Sequence, residues 1–75
     1  MDMQSLRSDM LSAAHGAVLN SPEDMVVSHA TGRINGTREL VDLGLLAKHV
    51  AYDRIRMIES ARDQVIRSLK VPVIA

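Results

Sequence analysis

Apolar residues recur along this chain at helical spacing. Met3, Leu6, Met10, Ala13 and Ala17 follow one another at steps of three and four, an a/d seam about two heptads long. Ala14 and Val18 widen the seam, while Ser5, Arg7, Ser8, Asp9 and Ser12 take the other face. This pattern predicts a first helix over 3–19, with a soft spot at Gly16. The segment "NSPED" predicts the next start: Ser21 as N-cap, Pro22 at the first helical position, and Glu23 and Asp24 in the first turn, where they complement the helix dipole. Met25, Val26, Val27 and Ala30 give the apolar side of a short second helix over 22–31.

"TGRINGT" follows, with two glycines and an Asn-Gly pair that mark a turn. The expectation is a hinge over 32–36 built on Gly32 and Gly36. The alternative is that the second and third helices run on through both glycines in the assembled state, at about 1 kcal/mol each relative to alanine, with the loop kept for the free monomer. From Thr37, a plausible N-cap, a third helix is predicted over 37–70, with Pro72 stopping it. Projected at 100° per residue, Leu40, Leu43, Ala47, Val50, Ala51, Ile55, Ile58, Ala61, Val65 and Leu69 share one face. Asp42, His49, Asp53, Arg56, Ser60, Asp63 and Arg67 lie opposite, and Leu45, Leu46, Tyr52 and Met57 fall on the flanks. Between Leu40 and Tyr52 this helix is apolar nearly all round. The fold class is therefore all-α: a helical hairpin or three-helix chain in one domain over 1–75, with a short first helix, a short middle helix and one long last helix.

Size turns the pattern into an argument about partners. A chain of 75 residues is marginal alone, and with no cysteine it has neither a disulfide nor a thiolate metal site to hold it. Two short helices do not cover the flanks of a helix of about 50 Å. The expected remedy is association with other copies of the chain or with a helical protein partner. The predicted contact set is Met3, Leu6, Met10, Leu40, Leu43, Leu46, Val50, Ile55, Ile58 and Val65, and aspartate at Leu43 or Ile58 is expected to abolish assembly. Arg54 and Arg62 fall within the apolar stripe. Either their stems pack while the guanidinium groups reach water, or they set register by pairing with a carboxylate of another subunit such as Asp9, Glu23 or Asp24.

Composition removes other classes. Nine basic residues balance nine acidic ones, which argues against a dedicated nucleic-acid or anionic-membrane binder. Tyr52 is the only aromatic, so no aromatic-lined pocket is available. No apolar run approaches the roughly 18 residues of a membrane span. "MDMQSLRSDM" lacks the apolar stretch of a cleaved signal peptide, so synthesis in the cytoplasm is expected. His15, His29 and His49 do not share the spacing of a helical metal pair. "GRING" lacks the Lys-Ser/Thr of a phosphate-binding loop, and no Ser, His or Asp sits in a nucleophile motif. The helix-turn-helix reading fails because the would-be recognition helix opens "TRELVDLGLL", acidic and apolar where basic and amide side chains are needed. "NGT" at Asn35 matches a glycosylation sequon without a secretory signal to give it meaning. No enzyme, cofactor or metal is expected.

Within residues 22–70 the chain resembles the axial proteins of bacterial flagella and of the related type III secretion injectisomes. Val41, Asp42 and Leu43, then Ala51 and Tyr52, then Ile58, Ala61 and Leu69 are similar to the C-terminal segment of flagellar rod and hook proteins. The start Pro22 to Met25, and Val41 to Leu43 followed by Ala47 and Lys48, resemble injectisome inner-rod subunits. The chain departs from the rod proteins in its longer spacing between Leu43 and Tyr52, and in carrying "VVSHATG" where they have an Asn-rich motif. The resemblance implies a structural subunit of a rod, exported into a cell-envelope secretion assembly and folding against its neighbours. The competing expectation is a small dimeric helical adaptor or regulator, such as a secretion chaperone, antitoxin or anti-factor, that shelters a partner helix.

Overall fold

The computed structural model describes residues 2–70. They form three helices and no strand: α1 (Met3–His15), α2 (Pro22–Asp42) and α3 (Lys48–Lys70). The all-α expectation holds, but the breaks fall elsewhere than the glycine pattern suggested. The first helix stops at His15 rather than near residue 19, because Gly16 caps it and donates to the Ala14 and Ser12 carbonyls. The predicted hinge at Gly32 and Gly36 does not form. α2 runs through both glycines, and Thr37 is a buried mid-helix residue rather than an N-cap. Its hydroxyl donates to the Arg33 carbonyl at 2.9 Å, which satisfies it inside the helix. The single helix over 37–70 is instead the end of α2, a turn and α3. Pro72, expected to end the last helix, lies outside the described residues.

Gly44 makes that turn. It is the one described residue of positive φ, at 73°, a conformation open to glycine and costly to residues with a Cβ. Gly44 N–H donates to the Val41 carbonyl (3.0 Å) and Leu45 N–H to the Leu40 carbonyl (2.9 Å). These two bonds are a Schellman closure with glycine at the position after the cap, and they satisfy carbonyls that the helix end would leave open. At the other end of α2 the sequence reading holds in detail. Ser21 Oγ accepts from Asp24 N–H at 3.1 Å, and Pro22 begins the helix.

Short connections, 16–21 and 43–47, make successive helices antiparallel, and each helix packs on both others. The core is Leu6, Met10 and Ala14 from α1, Val26 and Ala30 from α2, and Ile58, Ala61 and Val65 from α3. Ion pairs flank it. Arg33 reaches Asp9 at 2.6 Å, and Lys70 lies 3.0 Å from Glu23, while Arg7 donates to Gln64 at 2.8 Å. These pairs are half-exposed or more at one partner and contribute under about 1 kcal/mol each, so burial of the aliphatic seam dominates. The result is a rod with principal extents of 49, 23 and 14 Å.

Candidate interaction site at the hairpin tip

The helices differ in length, and that difference creates the site. At 1.5 Å per residue α1 is about 20 Å long and α2 about 31 Å, so roughly 12 Å of the α2–α3 hairpin extends past α1. Core contacts from α2 reach Ile34 and those from α3 begin at Met57. Beyond them α1 has nothing to offer. There Arg38, Val41, Asp42, Lys48, Ala51, Tyr52 and Ile55 line an open groove of about 400 Å³. Val41 lies one heptad from Ile34, and Ala51 one heptad from Ile58, so the groove continues the stripes that hold α1 lower down.

Exposed apolar side chains gather at this end of the hairpin. Leu40, Leu43, Leu45 and Tyr52 are all exposed, Leu45 by 72%. Val18 and Leu19 are exposed in the α1–α2 connection at the opposite end, which leaves Val27, among the described residues, as the single large exposed apolar residue on the sides. Electrostatics set the two ends apart. At the base, Glu23 and Asp24 open α2 and Arg67 and Lys70 close α3, each sign on the helix end that favours it. At the tip the signs are inverted: Glu39 and Asp42 crowd the C-terminus of α2, and Lys48 and His49 the N-terminus of α3. The Arg56 guanidinium lies 5.6 Å from the centroid of the Tyr52 ring, a cation–π contact to a residue of the groove wall.

The predicted contact residues divide between this tip and the chain's own core. Leu6, Met10, Ile58 and Val65 are buried inside the bundle and Met3 packs against it. Leu40 and Leu43 are exposed, and Leu46, Val50 and Ile55 are half-buried; all five belong to the tip. Arg62 Nε donates to Asp63 at 3.0 Å, and Arg54 is half-buried on α3. Asp9 and Glu23, suggested as partners for these arginines, face Arg33 and Lys70 within the chain. Gly32 and Gly36 are exposed points of α2 with open space around them. Sequence reasoning missed the groove because it joined Leu43–Leu46 to a helix. The signal was present: Val26, Ala30, Ile34, Thr37 and Val41 keep three- and four-residue steps through both glycines.

Among the described residues no group of three or more His, Cys, Asp or Glu is placed to hold a metal ion, and no helix is long and apolar enough to cross a membrane. No protein family, no curated protein and no solved structure matches the chain.

Proposed function

We propose that this chain is a non-catalytic structural subunit that self-assembles by helix packing at its hairpin tip. The setting we propose is the axial rod of a flagellar or type III secretion assembly, which is what the sequence resemblance implies, with export into the cell envelope as the route. One observation carries the reading. The bundle closes its own core at one end and leaves at the other an open groove walled by Val41, Ala51, Tyr52 and Ile55, with Leu40, Leu43 and Leu45 exposed on the same end of the hairpin. An apolar patch of that kind on so small a body marks an interaction surface. The partner surface is helical or apolar, with no nucleic acid and no cofactor in the reading.

A dimeric adaptor is the second reading, favoured by the groove lying in line with α1, the shape that one partner helix fills. Light scattering behind size-exclusion chromatography, run from micromolar to millimolar, separates the two. A subunit of an open assembly gains mass steadily with concentration, and Leu43→Asp holds it at the monomer mass. Leu43 is 64% exposed, so that change leaves the core untouched. A dimer of constant mass supports the adaptor. A monomer throughout overturns both readings of the tip.

A further inference from the structure

Resting on that self-assembly reading, we infer that copies join base to tip, with residues 71–75 of one copy seated in the hairpin groove of the next. The occupant is argued from the chain itself. Among the described residues, six of the seven large exposed apolar side chains lie at the two ends of a 49 Å rod: Val18 and Leu19 at the base, and Leu40, Leu43, Leu45 and Tyr52 at the tip. Residues 71–75 read Val-Pro-Val-Ile-Ala, wholly apolar, and follow in sequence on Lys70, the last residue of α3, which lies at the base. Pro72 lacks a backbone donor, which suits a segment lying extended in a groove.

Reach excludes the chain's own groove. Ile55, the groove residue nearest along α3, stands 15 residues before Lys70, about 22 Å of helix. Five extended residues span at most roughly 17 Å. A second copy stacked on the tip brings its 71–75 segment there directly. Area argues that the segment is needed. An end of 23 by 14 Å offers roughly 300 Å² per partner, and twice that is about half of the ~1,200 Å² of a stable interface. An apolar segment laid in a groove of about 400 Å³ supplies the remainder. Charge sets the rotation. A half-turn about the long axis puts the acidic end of α2, Glu39 and Asp42, over the basic end of α3, Arg67 and Lys70. It puts Lys48 and His49 over Glu23 and Asp24. Such a contact joins two different surfaces, so it does not close on itself and grows as a filament.

The test is complementation between two defective chains. One carries Tyr52→Glu, an exposed residue of the groove wall, and keeps residues 71–75; the other ends at Lys70 and keeps the groove. Circular dichroism checks that each is helical. Base-to-tip joining predicts that each alone stays at monomer mass, and that mixing them gives a one-to-one heterodimer that grows no further. The chain has no cysteine, so Lys48→Cys and Val73→Cys on otherwise intact chains give a second reading that needs no truncation. Oxidation is expected to join the two variants to each other at least tenfold more than Lys48→Cys to itself. If the chain ending at Lys70 assembles like the intact chain, or Lys48→Cys joins mainly to itself, base-to-tip joining is wrong while self-assembly stands. If the intact chain stays monomeric at every concentration, self-assembly fails and this inference with it.

Discussion

Replacing Gly44 with alanine destabilises the bundle, while the same change at Gly32 or Gly36 stabilises it. At Gly44 the backbone has φ of 73°, where an L-residue loses about 1–2 kcal/mol. The less flexible unfolded chain returns about 0.4–1 kcal/mol. The net loss is about 1 kcal/mol, and it comes from backbone strain alone, since a Cβ there meets nothing within 4 Å. Gly32 and Gly36 also have nothing within 4 Å, but they lie inside α2, so alanine gains about 0.5–1 kcal/mol at each. For a chain of this size 1 kcal/mol moves Tm by about 4–8 °C. Thermal unfolding followed by circular dichroism, at one fixed low concentration to exclude assembly, reads the shift. Gly44→Ala is expected several degrees below the parent, and Gly32→Ala and Gly36→Ala several degrees above. A Gly44→Ala chain that melts higher than the parent would falsify the Schellman turn and restore a continuous helix through residue 44.

Two further perturbations probe the other layers. Ile58 is fully buried between the three helices, so Ile58→Ala removes about 2–5 kcal/mol from a bundle whose whole stability is about 4–11 kcal/mol; a urea midpoint shifted by less than a tenth would contradict the assigned core. Asp2 accepts from Ser5 N–H at 2.7 Å as the N-cap of α1, and that bond holds its carboxyl below the ordinary 3.8. Its capping contribution is therefore full above pH 3.8 and lost as pH falls through the lower folded value, so amide exchange at Ser5 should quicken there first in the parent chain and show no such step in Asp2→Asn.

Much of the fold was legible because the local signals were chemical. Ser21, Pro22, Glu23 and Asp24 name a helix start by what their side chains do at one, and the start lies there. The seam through Leu6 and Met10 and the stripe through Ala51, Ile58, Ala61 and Val65 likewise become buried surfaces. The breaks were misread because glycine alone does not say whether it ends a helix. Two exposed glycines in α2 cost about 2 kcal/mol together, and burying Val26, Ala30 and the flank of Ile34 on one continuous face outweighs that. Gly44 stands alone in an apolar run, yet the Leu40 to Leu45 bond around it ends the helix. The stretch that was apolar nearly all round was the clue. No surface helix is built so, but a turn at the end of a hairpin is free of helical periodicity.

The tip is where several local rules fail together, and the failures share one sense. Helix ends carry charge of the unfavourable sign there, leucines stand in water, and the groove continues a seam that α1 does not reach. The Asp2 cap fixes where α1 begins, short of the groove. Each fault costs a fraction of a kcal/mol to about one, in a bundle with little to spare. A second body placed on the tip relieves all of them at once: it covers the leucines, fills the seam and supplies counter-charges to Asp42 and Lys48. At the base the helix-end charges and the Glu23–Lys70 pair agree with their surroundings, and what is left uncovered there is Val18 and Leu19. Charge conflict confined to the tip, with apolar side chains exposed at both ends, is the pattern that base-to-tip joining, as inferred above, would relieve.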